Sequence, residues 1–194
     1  MLARLALTGF ALIALAACAS REAAPRPGGD AGVVIERATG SVQVLDPARR
    51  AAVGRITGLG DLSHAAVVYS KDARYAYVFG RDGGLTKVDL AAQKVVARTV
   101  QAGNSIGGAI SRDGKLVAVA NYEPGGVKIF DAETLTLLSE VPSTYGAQGQ
   151  RAKVVGIADA PNDRFVFSLF EPGEIWIVDA ADPRHPTVRK FENV

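Results

Sequence analysis

The chain has one cysteine, one methionine and one tryptophan. A disulfide framework and a multi-cysteine metal site are therefore excluded. No C-x-x-C-H run occurs, so haem is not attached covalently within this segment. Two histidines and a lone cysteine are too few and too scattered for a zinc cluster. A dominant sign of charge is also missing. The 22 basic and 20 acidic residues leave a net charge of +2, and no basic block marks a nucleic-acid surface or a polybasic membrane contact. Helical periodicity is weak beyond the N-terminus.

What is present is a repeat. A Gly precedes a short strand of alternating character that ends in Asp: Gly40-Ser-Val-Gln-Val-Leu-Asp46, Gly84-Leu-Thr-Lys-Val-Asp89, Gly126-Val-Lys-Ile-Phe-Asp131 and Gly173-Glu-Ile-Trp-Ile-Val-Asp179. The period is about 40–50 residues, with strands and turn residues inside each unit, as in a β-propeller blade. Upstream of these phrases stand turn formers followed by β-branched and aromatic runs: Ser70-Lys-Asp-Ala-Arg-Tyr-Ala-Tyr-Val-Phe-Gly80, Ser111-Arg-Asp-Gly-Lys-Leu-Val-Ala-Val-Ala-Asn121 and Ala160-Pro-Asn-Asp-Arg-Phe-Val-Phe-Ser-Leu-Phe170. Asp, Asn and Gly tolerate tight turns, and the runs suit buried strands. Lys94-Val-Val-Ala-Arg98 and Thr136-Leu-Leu-Ser-Glu140 supply a further strand. The fold class predicted is an all-β propeller, of which four repeats in 194 residues make only part.

The N-terminus reads as an export signal over 1–17. Arg4 supplies the positive region, and Leu5 to Leu15 is an apolar run too short to span a bilayer with comfort. It ends in Leu15-Ala-Ala-Cys18, which resembles a bacterial lipobox, so Cys18 is predicted to carry lipid. Ala19 after it argues, by resemblance to bacterial sorting rules, for the outer membrane. Residues 18–32 form a flexible tether rich in Ala, Pro, Gly and Arg. Residues 33–194 are the propeller part. The predicted location is the periplasm, with the domain held to the membrane by its lipid.

Few residues can carry chemistry. Asp61, Ser63 and His64 are too close in sequence to align as a catalytic triad. Gly103-Asn-Ser-Ile-Gly-Gly108 is not followed by a helical pattern, so it lacks the helix N-terminus that a dinucleotide needs. These glycines mark backbone close to a channel ligand or a neighbouring blade. His185, between Pro183 and Pro186, belongs to a surface loop. His64 stands at the entrance to the apolar run Ala65-Ala-Val-Val-Tyr69. Inner propeller strands start near the central channel, where a neutral imidazole can ligate iron. By position alone it could also bond a neighbouring blade turn.

The stretch Ser63-His-Ala-Ala-Val-Val-Tyr-Ser-Lys-Asp-Ala-Arg-Tyr-Ala-Tyr-Val-Phe-Gly-Arg-Asp-Gly-Gly-Leu-Thr-Lys-Val-Asp-Leu90 resembles the haem-d1 propeller family of dissimilatory nitrite reductase. A His, a turn, an Arg-Tyr strand start and a Gly-Arg-Asp turn follow in the same order and spacing. Ala120-Asn-Tyr-Glu-Pro124, Asp131-Ala-Glu-Thr-Leu135 and Ser143-Thr-Tyr-Gly146 continue the match, which runs from about Val33 to the end. The resemblance implies an eight-bladed propeller with only about four blades present. It implies His64 as the axial ligand of haem iron, Arg81 as a partner of haem carboxylates and Tyr122 as a pocket-lining tyrosine. Val67 and Gly107 stand where the reductase has further carboxylate-pairing Arg, which suits a different carboxylate pattern or a precursor. The reductase's distal His pair would fall beyond Val194.

The lipobox, the absence of a cytochrome c domain and the Gly103–Gly108 motif look more like a family member acting in haem d1 biosynthesis. The cofactor implied is haem d1 or its precursor dihydro-haem d1, held non-covalently. The partners implied are other haem d1 biogenesis proteins and nitrite reductase. No acid–base pair or electron acceptor stands out, so the residues leave conversion and delivery of the precursor both open. A non-enzymatic periplasmic propeller binding a protein partner on its rim is the alternative. A dihydro-haem d1 dehydrogenase would carry a cytochrome c domain and its C-x-x-C-H. Half a propeller would leave edges and a face uncovered, so the chain is expected to continue past Val194 or to complete a ring as a homodimer.

Overall fold

A computed structural model describes residues 31–192. The signal segment, Cys18 and all but the last residues of the tether lie outside the described residues. Among the described residues, seventeen strands and a single 3-10 turn make up the regular structure. The first blade contains β1 (Gly32–Glu36), β2 (Ser41–Asp46) and β3 (Ala51–Ile56). The second contains β4 (Ala66–Tyr69), β5 (Tyr75–Phe79), β6 (Gly84–Asp89) and β7 (Lys94–Val100). The third contains β8 (Asn104–Ile110), β9 (Leu116–Glu123), β10 (Gly126–Asp131) and β11 (Leu137–Val141). A two-stranded hairpin, β12 (Thr144–Tyr145) with β13 (Gln150–Arg151), leads to the fourth blade. That blade contains β14 (Val154–Ala160), β15 (Arg164–Leu169), β16 (Glu174–Asp179) and β17 (Thr187–Phe191). Each blade is an antiparallel meander with its strands in chain order, the predicted propeller architecture.

Blade-on-blade packing explains the apolar runs. Successive residues of a strand point to opposite faces. In β5, Ala76 and Val78 enter the core shared with the first blade, while Tyr77 and Phe79 enter the core shared with the third. In β9, Leu116, Ala118 and Ala120 face the fourth blade, and Val117 and Val119 face the second. Strands buried on both faces must be apolar at every position, so they do not alternate. Phe165, Phe167 and Trp176 are the bulky members of the core between the third and fourth blades. Each contributes about 1.5–3 kcal/mol by burial.

The repeating Asp has a local cause. Asp89 Oδ1 accepts the Ala92 N–H at 2.8 Å, and Asp131 Oδ1 accepts those of Glu133 (3.0 Å) and Thr134 (2.7 Å). Asp46 and Asp179 do the same for Arg49 and Ala181. Each carboxylate closes the turn into its blade's outer strand, satisfying backbone donors that would otherwise need water. The serines act alike at the next turn: Ser70 and Ser111 each donate to an Asp two residues on at 2.6 Å. Each also accepts the N–H of the residue that opens the following strand, Tyr75 or Leu116, at 2.9 Å.

The inner strands are β4, β8 and β14, and β8 lies against both others. Gly103–Gly108 is largely strand, and its glycines serve the neighbouring blade. A Cβ on Gly108 would come within 2.4 Å of the Phe79 ring. Among the described residues the first blade has no inner strand. Its β1 carries the register of β5, and the Val33 N–H on the edge not paired with β2 donates to the Tyr69 hydroxyl at 3.0 Å.

Candidate functional site

The starts of the inner strands and the turns between the second and third strands of each blade share one rim. In the second blade, the Arg81 N–H bonds the Asp61 carbonyl (2.8 Å) and Ala66 pairs with Phe79. In the fourth, the Phe170 N–H bonds the Lys153 carbonyl (3.0 Å) and Gly156 pairs with Ser168. Four residues, Leu62 to Ala65, separate Asp61 from Ala66, whereas two, Val154 and Val155, separate Lys153 from Gly156. The second blade therefore bulges outward at Ser63, His64 and Ala65.

Leu62, fully buried in the core below, anchors the bulge. Asp61 tightens it by accepting the Ser63 N–H at 2.8 Å. Bonds from the Ser63 hydroxyl and N–H, with the nearby Arg81 charge, hold the Asp61 carboxyl below the usual carboxylate range. His64 stands exposed at the crest. Its ring meets that of Tyr122 edge-on, with centroids 6.5 Å apart. Among the described residues neither ring nitrogen takes a hydrogen bond, so the bond to a neighbouring turn that position alone allowed is not made.

Arg81 follows Gly80 in the β5–β6 turn and is exposed. Its neighbour Asp82 is occupied elsewhere, with Arg98 Nη2 at 2.5 Å and the Gly84 N–H at 2.9 Å. Among the described residues the Arg81 guanidinium has no hydrogen-bond partner, though Asp61 lies near enough to feel its charge. The turn itself needs Gly83: at φ +76°, a Cβ there would meet the Ala102 carbonyl at 1.9 Å.

Tyr122 holds the equivalent place in the third blade, just past Asn121, and is half-buried. Asn121 is buried and exchanges two bonds with the Gln101 side chain, at 2.8 and 3.2 Å. Ser105 ties the same region to the second blade by donating to the Gly80 carbonyl at 2.7 Å. These bonds set the height of Tyr122 beside His64.

The three residues singled out by sequence thus share one rim on adjacent blades, with His64 against Tyr122. An imidazole, a phenol and a guanidinium without a hydrogen-bond partner among the described residues are donor types that would suit an iron tetrapyrrole with ring carboxylates. Among the described residues no three His, Cys, Asp or Glu side chains gather to hold a bare metal ion. His185 lies apart, exposed, with its Nδ1 3.1 Å from Asp182. A cleft of about 450 Å³ between the second and third blades, lined by Tyr75, Tyr77 and Asp113, opens on the opposite rim.

Two residues on the His64 rim escaped the sequence reading. Phe170, 66% exposed, occupies in the fourth blade the register position of Arg81 and Tyr122. Lys153 lies beside it, with its ammonium 5.7 Å from the Phe170 ring and 3.0 Å from Glu171. The Glu171 carboxylate, with weaker help from Glu123 and Tyr122, raises the Lys153 pKa. The signal was available: Arg81-Asp82, Tyr122-Glu123 and Phe170-Glu171 each put an acidic residue next, and the last two continue Pro-Gly.

The Cytochrome D1 heme domain family matches residues 27–194. Protein NirF of Pseudomonas aeruginosa is 56% identical over 184 residues, covering 94% of this chain and 47% of the relative. Protein NirF of Stutzerimonas stutzeri is 55% identical over 181 residues, covering 93% and 46%. The chain thus spans about half the length of the curated relatives it matches. The solved structure of dihydro-heme d1 dehydrogenase NirN in complex with DHE superposes with a TM-score of 0.71 at 32% identity, covering 84% of this chain and 36% of that one. With a match over most of its length and a bladed all-β fold, the chain belongs to the Cytochrome D1 heme domain family.

Proposed function

We propose that this protein acts in haem d1 biogenesis by binding a late tetrapyrrole precursor, dihydro-haem d1 or haem d1 itself, on the rim formed by His64, Arg81 and Tyr122. The observation that carries the reading is His64, raised on a two-residue insertion beside Tyr122, with no hydrogen bond to either ring nitrogen among the described residues. Its imidazole would be the axial ligand of the iron, the Arg81 fork would take a ring carboxylate, and Tyr122 would line the macrocycle. The bound tetrapyrrole would supply the redox-active iron and conjugated ring. The chain's own residues hold and orient it, non-covalently, for the maturation of dissimilatory nitrite reductase. The similarity to both NirF proteins and to NirN supports this reading.

The location proposed is the periplasm, with Cys18 carrying the lipid that holds the protein to the outer membrane. Other haem d1 biogenesis proteins and nitrite reductase are the proposed partners. Metabolic labelling with a radioactive fatty acid should mark the protein and fail to mark Cys18→Ala. Labelling of both would overturn lipidation at that residue.

A visible absorption titration with haem d1 tests the binding. The protein is expected to shift the haem d1 spectrum, and His64→Ala is expected to abolish the shift of an axially ligated iron. An unchanged spectrum on addition of folded protein would sink the reading.

A further inference from the structure

The tetrapyrrole reading accounts for the rim of the second and third blades and leaves that of the fourth unused. Among the described residues Phe170 is the most exposed of the large apolar side chains, at 66%. It lies at the position that carries Arg81 in the second blade and Tyr122 in the third. A phenyl ring held outward by a regular turn, with Leu169 buried just before it, has no packing role in its own blade. Lys153 stands beside it. Its ammonium lies 3.0 Å from Glu171 Oε1, and its backbone N–H donates to Glu171 Oε2 at 2.8 Å. The side chain remains 46% exposed. The backbone just before Lys153 packs on the third-blade turn that bears Tyr122: a Cβ on Gly125 would come within 2.4 Å of the Ala152 carbonyl, and Arg151 Nη1 donates to the Gly125 carbonyl at 3.3 Å. A continuous path therefore runs along one rim: Arg81 by Asp61, His64 against Tyr122, the Tyr122–Gly125 turn against Arg151 and Ala152, Lys153 over Phe170.

Resting on that reading, we infer that the tetrapyrrole surface extends onto the fourth blade, where Lys153 pairs with a ring carboxylate of the bound molecule and Phe170 packs against its macrocycle. The chemistry suits both residues. A conjugated macrocycle offers a flat apolar face for a phenyl ring. Its carboxylates need cations, and the inner strands β4, β8 and β14 contain no Lys or Arg. Lys153 is a mobile point charge on a flexible stem, already poised by a carboxylate that a ligand carboxylate can replace. Glu171 keeps the turn closed through the Lys153 N–H whichever partner the ammonium takes.

The experiment compares haem d1 with its methyl ester, in which the carboxylate charge is removed. Equilibrium titrations are run with the wild-type protein, Lys153→Gln, Lys153→Arg and Phe170→Ala. Lys153→Gln is expected to weaken haem d1 binding about tenfold and to leave the ester unchanged, with Lys153→Arg restoring most of the loss. Phe170→Ala is expected to weaken acid and ester alike, by about three- to tenfold. Equal loss of acid and ester in Lys153→Gln, or no loss in either variant, overturns the inference. If wild-type protein binds neither form, the tetrapyrrole reading fails and the inference with it. If wild-type binds and His64→Ala removes ligation while the fourth-blade variants behave as wild type, the inference alone fails.

Discussion

The two rims are built from the same repeat and behave as opposites. On the rim away from His64, one solution recurs in every blade. Asp46, Asp89, Asp131 and Asp179 each accept a backbone N–H two or three residues on. Ser70 and Ser111 close the adjoining turns with the same two bonds. Polar groups there are spent on their own backbone. On the His64 rim one register position carries a guanidinium, a phenol and a phenyl ring in three successive blades, none of them needed by its own turn. Repetition marks what the fold requires, and variation at a fixed register position marks what a ligand can use.

That contrast breaks most visibly with a pair of substitutions. Asp89→Ala leaves the Ala92 N–H without its acceptor and removes the carboxylate that Arg74 reaches from 3.1 and 3.2 Å. The loss of a turn-closing bond and of a charge-assisted one costs about 2 kcal/mol. For a chain of this size the melting temperature should fall by roughly 4–8 °C, with haem d1 affinity within about twofold of wild type. Arg81→Ala should do the reverse, with stability within about 0.5 kcal/mol of wild type and affinity reduced about tenfold. Calorimetry and absorption titration on the same two preparations read both quantities. Parallel losses in either variant would erase the distinction between the rims.

The blades were legible because their cause is periodic. A Gly, an alternating strand and a turn-closing Asp return in phase, and each blade's second strand, buried on both faces, must be an apolar run. The inner strands were harder to see. β8 reads Asn-Ser-Ile-Gly-Gly-Ala-Ile and looks like a loop, because Phe79 of the preceding blade occupies the space a side chain on Gly108 would need. Interlocking with a neighbour erased the β-propensity that marks a strand. The site was legible in part. The order of motifs around His64 carried it, together with Arg81 and Tyr122. Phe170 was hidden because it prolongs the apolar run Phe165-Val-Phe-Ser-Leu by one residue and so reads as core. Only the pairing of Leu169 with Glu174 puts it beyond the strand's end. Lys153 was hidden because its role depends on Glu171, 18 residues away.

The first blade sharpens the comparison, because on the His64 rim it behaves like the opposite one. Its β1–β2 turn is closed around Glu36, which accepts the Ser41 hydroxyl at 2.5 Å, the Gln43 amide at 2.8 Å and a two-pronged bond from Arg55 at 2.6 and 2.5 Å. The Arg55 bonds, then that of Ser41, lower the Glu36 pKa from 4.5 to about 2. A carboxylate depressed on folding adds stability above its unfolded value and loses it as pH falls through the folded one. The Glu36 contribution should therefore be complete above about pH 4.5 and vanish as pH approaches about 2. Arg55→Gln removes the largest cause of the depression. Its urea midpoint should lie below that of wild type at about pH 6, and the gap should close as pH is lowered toward about 2.5. A gap that stays constant with pH would mean that Arg55 acts through packing of its stem and not through its pairing with Glu36. Because this network is exposed and screened, its effect should be the smallest of those described. It should also leave haem d1 binding unchanged, since the first blade's polar groups on this rim are turned on one another.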